Sequence, residues 1–239
     1  MRILITNDDG IGSPALPRLA AWAKQLGEVT VIAPKVEQSG KSHAIDFFRP
    51  IEIKEIPFVE GVTAYSMDST PADCVRFGVL GLKKQFDLIL SGPNRGYNLG
   101  RDIVYSGTAG AIFEGARLGI PAVALSTCPD SFEPFFACLD RLKDFFLAHR
   151  LLERHTLYNV NVPADDRGVR ITRQGGIYFT DEFVRGENDM YTQEGHMVDS
   201  SHEPLFYDTS AICNGYISIT PLTNEKTHLP LFEELQGLE

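Results

Sequence analysis

Cysteine is scarce in this 239-residue chain, and the four present (Cys74, Cys128, Cys138 and Cys213) form no C-x-x-C pair. Their scatter argues against a disulfide framework or a thiolate zinc site and fits reduced thiols in a cytoplasmic protein. The six histidines show no H-E-x-x-H or comparable spacing, so imidazole-bound zinc is not expected either. Positive charge is also short, with 22 Lys and Arg against 32 Asp and Glu, a formal net charge of -10. A surface that wraps nucleic acid must neutralise backbone phosphates, so no nucleic-acid polymer is expected as a partner. Small phosphorylated ligands stay open, because a metal ion and helix amides can hold them. No apolar run approaches the length of a membrane span, and a first strand at residue 2 leaves no room for a leader. The reading therefore expects no membrane attachment. What is present, 43% hydrophobic and 23% charged residues, suits one large globular domain or a domain with an extension.

The organising stretch is the first ten residues. Ile3-Leu4-Ile5 is a short apolar run that stops at Asn7-Asp8-Asp9 and then Gly10. Such a run reads as a strand buried on both faces, as in parallel sheets. Adjacent carboxylates at its end are costly unless a cation or a solvent cleft receives them, and ligands of open α/β sheets bind outside the carboxyl ends of strands. A divalent-metal site at the end of the first strand is the working reading. The competing one is an Asp helix cap followed by an Asp-Gly turn.

Strands and helices then alternate. Ser13 with Pro14 predicts a helix start, Leu16, Leu19, Ala20, Ala23 and Leu26 its apolar face, and Gly27 its end. Val29–Ala33 is a second buried strand, which completes a βαβ unit. The dinucleotide fingerprint is met in form, with Gly10, Gly12 and a permitted Ala15, but Asp8 and Asp9 would repel a pyrophosphate not bound through a metal, so a nicotinamide enzyme is not expected. Lys35–Ser42 is a polar loop whose Gln38-Ser39-Gly40 leaves the same sheet edge as Asp8. Residues 47–56 and 62–66 read as two extended segments on an excursion from the sheet. Thr70 caps a helix that Pro71 begins.

Asp87–Leu90 repeats the opening pattern, an apolar run that ends in Ser91-Gly92-Pro93-Asn94. If that strand parallels the first, Asn94 shares a rim with Asp8 and Asp9. The loop runs on with two glycines and two cations, Arg95-Gly96-Tyr97-Asn98-Leu99-Gly100-Arg101-Asp102, to Tyr105-Ser106-Gly107-Thr108 at a helix start. Free amides with Ser and Thr hydroxyls make an anion site there, or simply a helix cap. Pro121–Ser126 is another strand, a helix spans about 131–152, and Leu157–Val162 closes the sheet. The expectation is an α/β fold, Rossmann-like and doubly wound, with a mostly parallel sheet in three α/β/α layers. Residues 1–163 form that core. Residues 164–239 form a C-terminal extension: charged aromatic arms over 165–200, a strand over 211–221, and a short helix over 229–235. Arms packing on a partner subunit are expected, against a hairpin folded over its own sheet.

These segments together resemble the SurE (survival protein E) family of metal-dependent nucleotidases. The resemblance is carried by Ile5-Thr6-Asn7-Asp8-Asp9-Gly10, by Ala33-Pro34 with Gln38-Ser39-Gly40, and by Thr70-Pro71-Ala72-Asp73-Cys74-Val75. It continues through Ser91–Asn94, Asn98–Gly100 and Tyr105–Thr108 to Asn159–Pro163 and Gly215–Leu222. Ser42 is followed by His43-Ala44-Ile45-Asp46-Phe47-Phe48 in place of the family's small and hydroxyl residues, a departure that bears on substrate preference.

The resemblance implies metal ligands at Asp8, Asp9, Ser39 and Asn94. It implies a phosphate pocket lined by Asn98 and Ser106-Gly107-Thr108, and a dimer or tetramer joined by C-terminal arms. The implied activity is hydrolysis of nucleoside 5′-monophosphates, and of 3′-monophosphates in some members. Oxygen donors of this kind select one hard cation per subunit, Mg²⁺ or Mn²⁺. The nucleophile is Asp8 or a metal-bound water. The rival classes are a non-catalytic nucleotide-binding module and a phosphatase for short polyphosphate. A haloacid-dehalogenase-like enzyme needs D-x-D-G-T, which Asp8-Asp9-Gly10-Ile11 does not supply.

Overall fold

The computed structural model describes residues 1–238. β1 (Arg2–Thr6), α1 (Ala15–Ala23) and β2 (Glu28–Pro34) form the opening βαβ unit. β3 (Ile53–Ile56), β4 (Thr63–Met67) and α2 (Pro71–Arg76) follow, with a π-helical turn over Phe77–Gly81. β5 (Leu88–Arg95) leads through a 3-10 segment, Gly100–Tyr105, into α3 (Gly107–Arg117). Next come β6 (Ala122–Thr127), α4 (Glu133–Ala148), α5 (Leu151–Arg154) and β7 (Leu157–Val162). The last part holds β8 (Val169–Ile171), β9 (Phe179–Arg185), β10 (Tyr191–Met197), α6 (Asp208–Cys213), β11 (Ile217–Pro221) and α7 (Leu229–Leu235).

Nine strands make one sheet in the order β3-β4-β2-β1-β5-β6-β7-β11-β8. The six from β4 to β7 are parallel, and β3 and β11 flank them antiparallel. Side chains of a strand alternate between faces, and both faces are covered here. Ile3 and Ile5 pack with Leu16 and Leu19 of α1 and Phe135 and Leu139 of α4, while Leu4 packs with Val75 of α2 and Ile112 of α3. The expected three-layer α/β/α fold is therefore present.

The chain winds outward from β1 in both directions, through β2 and β4 on one side and through β5, β6 and β7 on the other. The carboxyl ends of β1 and β5 thus flank the point where strand order reverses, the place where open α/β sheets bind ligands.

Several expectations need correction. Residues 53–67 do not leave the sheet; β4 runs parallel to β2 and β3 doubles back on it as the sheet edge. β7 is not the last strand, because β11 and β8 continue the sheet and carry it across the expected boundary at residue 163. The stretch expected as one strand over 211–221 begins as α6 and turns at Gly215 before β11. The helix expected over 131–152 breaks at Arg150, whose left-handed backbone separates α4 from α5. Ser13 does not cap α1; its carbonyl accepts from Leu16, and Pro14 takes the cap position with no side-chain bond. Thr70 does cap α2, accepting from the Asp73 amide at 3.1 Å. The hairpin of β9 and β10 neither joins the sheet nor folds over it, and every residue of both strands is exposed.

Candidate active site

β1 delivers its polar end to the rim through a tight turn. The Asn7 side chain donates to the Gly10 carbonyl at 3.0 Å, and the Asp8 carbonyl accepts from the Gln38 amide at 2.7 Å. These bonds turn the chain and tie it to the loop after β2, which carries Ser39. The Asp8 carboxylate faces the start of α3: Thr108 donates its hydroxyl to one oxygen at 2.6 Å and its amide to the other at 3.1 Å. Gly107 suits this close approach, since a Cβ there would stand a tight 3.0 Å from the Asp8 Cβ and 3.3 Å from the Gln38 carbonyl oxygen.

β5 supplies Asn94. Its register with β6 slips between Ser91 and Asn94, and Gly92 permits the slip, because a Cβ there would lie 2.2 Å from the Leu125 carbonyl oxygen. The Asn94 side-chain nitrogen donates to the Gly96 carbonyl at 2.9 Å, which leaves its amide oxygen uncommitted. Asn98 is held by the ends of two further strands. Its amide donates to the Asn161 side chain at 2.9 Å, and its carbonyl accepts from Asn159 at 2.8 Å and Asn161 at 3.0 Å. Its side-chain nitrogen donates to the Ser126 hydroxyl at 2.8 Å.

One cleft of about 310 Å³ is lined by Asp8, Asp9, Ser39, Asn94, Asn98 and Ser106. The topology therefore brings together six of the eight residues singled out in the sequence. Gly107 and Thr108 stand directly behind the cleft wall, and Thr108 is fully buried. The expectation that Thr108 lines the pocket needs amendment: its hydroxyl and amide are engaged by Asp8. The Ser106 hydroxyl accepts from the Ala109 amide at 3.0 Å and so acts as the helix cap. Glu37, Arg95, Asp102 and Tyr105 also line the cleft. Sequence reasoning assigned them no role, although Arg95 and Asp102 flank the glycine-bearing loop.

The electrostatics of the carboxylates are unusual. Burial pushes the Asp8 carboxyl above its ordinary value, against the two bonds from Thr108. Burial and then the neighbouring Asp8 push Asp9 up to about 6, while the Arg95 amide pulls the other way. A buried pair that resists ionising together is stabilised by a shared cation. The donors within reach are carboxylate, hydroxyl and amide oxygens. Among the described residues no His or Cys lines the cleft, so the set contains none of the soft ligands that zinc favours.

Comparison with known proteins agrees with the motifs. The family described as "Survival protein SurE" matches residues 3–181. The chain is 37% identical to "5′-nucleotidase SurE" of Thermosipho melanesiensis, over 98% of this chain and 97% of that protein. It is 35% identical to the protein of the same name from Legionella pneumophila, over 100% and 97%. The solved structure described as "Crystal Structure of Sure Protein from Aquifex aeolicus" superposes with a TM-score of 0.81 at 32% identity, covering 100% of this chain and 99% of that one. The chain belongs to the SurE family.

Proposed function

We propose that this chain is a metal-dependent phosphomonoesterase that hydrolyses nucleoside 5′-monophosphates, and 3′-monophosphates in addition, to nucleoside and phosphate. Relatives named 5′-nucleotidase, similar along nearly their whole length, support the activity. The observation that carries the reading is the Asp8–Asp9 pair, two carboxylates pushed toward their neutral forms at the mouth of the sheet's reversal point.

Asp8, Asp9, Ser39 and Asn94 would hold one Mg²⁺ or Mn²⁺ ion, since this all-oxygen set fits a hard cation. Bound there, the ion would polarise a phosphoryl oxygen and stabilise the charge that grows on it. Thr108 orients Asp8 through both carboxylate oxygens. Asn98, fixed by Asn159, Asn161 and Ser126, and Ser106 at the cap of α3 form the wall for the remaining phosphoryl oxygens. The attacking oxygen belongs to Asp8 or to a water; rapid-quench trapping of an acid-stable phosphoenzyme identifies Asp8, and its absence identifies water.

The direct test is phosphate release from a panel of nucleoside 5′- and 3′-monophosphates. Chelator should silence release and Mn²⁺ or Mg²⁺ restore it, while Asp8→Asn and Asn94→Ala should abolish it with unchanged far-ultraviolet circular dichroism. Nucleotide binding without release would make the chain a binding module, and release from short polyphosphate alone would move the substrate class.

Two further parts belong to this proposal. Residues 164–239 serve self-association into a dimer or tetramer, supported by the unpacked hairpin and by α7, none of whose residues is buried. A cytoplasmic location is supported by the free cysteines, and no helix among the described residues is long and apolar enough to cross a membrane.

A further inference from the structure

The cleft is strongly acidic. Asp8, Asp9, Glu37 and Asp102 all line it, and among its lining residues the one cation is Arg95. A phosphate monoester enters as a dianion near neutral pH, and one divalent ion can balance only two of those carboxylates. The wall formed by Glu37 and Asp102 would still repel the incoming phosphate.

Those two acids already have neutral partners. The Ser39 hydroxyl donates to Glu37 at 2.6 Å, and the Tyr178 and Phe179 amides donate to Asp102 at 2.8 and 2.7 Å. Arg95 is not consumed by either. Arg2, Arg18, Arg76 and Arg117 each form an ion pair with an acid, whereas no Asp or Glu among the described residues lies within 4.0 Å of the Arg95 guanidinium. Its backbone is nonetheless fixed. Arg95 stands in register with Thr127 of β6, and the next amide, Gly96, donates to the Thr127 carbonyl at 3.0 Å. An exposed guanidinium is thus anchored one residue after Asn94, at the edge of the site, in ion-pair contact with no acid among the described residues. Its planar fork matches two oxygens of a phosphate and remains charged at any working pH.

We propose that Arg95 is a substrate-binding residue whose guanidinium takes the phosphoryl oxygens turned away from Asp8, Asp9 and Asn94. It offsets the repulsion of Glu37 and Asp102 and draws phosphate monoesters into an otherwise negative cleft. The assignment rests on the phosphomonoesterase reading above.

The experiment compares wild type, Arg95→Ala and Arg95→Lys in three measurements: kinetics on a nucleoside 5′-monophosphate, kinetics on an aryl phosphate, and calorimetric binding of inorganic phosphate with Mn²⁺ present. Arg95→Ala should raise KM for both substrates by about tenfold, the loss expected of one charge-assisted contact, and weaken phosphate binding by a like factor. The loss should fall more on KM than on kcat, and Arg95→Lys should recover part of it. Unchanged phosphate affinity in Arg95→Ala overturns the proposal. So does a KM that rises for the nucleotide but not for the aryl phosphate, which would place Arg95 on the base or ribose. If wild type releases no phosphate from any ester, the phosphomonoesterase reading fails, and the calorimetric comparison still decides whether Arg95 binds phosphate.

Discussion

Asp8 receives both of its side-chain hydrogen bonds from Thr108, a residue 100 positions away. This contact gives Thr108 the geometry to position the Asp8 carboxylate. A hydroxyl that orients a metal-binding carboxylate typically accounts for about 10–100-fold in metal affinity or activity. Thr108→Val keeps the shape and the backbone bond while removing the hydroxyl. It should weaken Mn²⁺ binding in that range by calorimetry; unchanged affinity would leave Thr108 with packing alone.

Asp9 carries a second expectation at the same scale. Its folded value of about 6 lies above the ordinary 3.8, so the folded chain holds that proton more tightly than the unfolded one. In metal-free protein, stability should therefore fall as pH rises from 3.8 to about 6 and stay reduced above it. Asp9→Asn should stabilise the chelated protein at about pH 7.5 by roughly 1–2 kcal/mol, allowing for partial exposure, and should give no advantage at about pH 3.5. Melting curves at the two pH values check this. Equal stabilities at the higher pH would mean that Asp9 is not strained without a cation. Asp8-Asp9-Gly10 was legible in the sequence because an apolar strand ending in two acids is costly in any fold. The Thr108 partner was not, because a hydroxyl at a helix start can cap that helix or face any acceptor the topology brings.

At the level of elements, the site depends on how the loop after β2 is pinned. That loop carries Glu37 and Ser39 to the cleft and then crosses α2 and α3. The Thr70 hydroxyl donates to the Ala44 carbonyl at 2.7 Å, the Asp46 amide donates to Asp73 at 2.7 Å, and His43 meets Glu114 at 2.9 Å. Glu114 is buried in α3 and also receives Arg76 at 3.0 Å and Arg117 at 2.7 Å. Burial opposes its charge, but bonds from His43, Arg117 and Arg76 outweigh burial and hold its carboxyl down at about 2. A lowered folded value gives stability present above the ordinary 4.5 and lost as pH falls toward 2. Glu114→Gln leaves three donors facing a neutral amide, so it should cost about 2–4 kcal/mol at neutral pH. The gap to wild type should narrow below about pH 4.5. Denaturant unfolding at pH 7 and pH 3 measures it, and a cost that does not depend on pH would assign Glu114 a steric role.

The elements misread in sequence share a physical origin. Ala211-Ile212-Cys213 is too short an apolar run for periodicity to separate helix from strand, and tertiary packing made it α6. β3 and β4 were legible as extended, but their return to the β2 edge depends on long-range pairing that local pattern does not encode.

The whole molecule is a sheet that reverses its winding between β1 and β5, with an unpacked arm at one end. The shared rim was legible, because two apolar runs ending in Asp8-Asp9 and Asn94 must meet at one edge once their strands are parallel; that the strand order reverses there was not. How the last part of the chain divides was not legible either. β8 and β11 went to the sheet, while β9, β10 and α7 stayed exposed. Phe183, Met190 and Tyr191 on the hairpin and Phe232 and Leu235 on α7 present apolar surface to solvent, which suits the self-association proposed above. The intact chain should therefore run as a dimer or tetramer in sedimentation equilibrium, and Phe232→Asp with Leu235→Asp should lower its mass while circular dichroism stays the same. A wild-type monomer at all concentrations would remove the arm from assembly.

The central claim is that Asp8, Asp9, Ser39 and Asn94, far apart in the chain, converge on one divalent ion. The measurement that addresses it most directly is anomalous diffraction from a crystal soaked in Mn²⁺. A single peak within bonding distance of those four side chains is the expected result. A peak elsewhere, with that quartet left bare, would contradict the account.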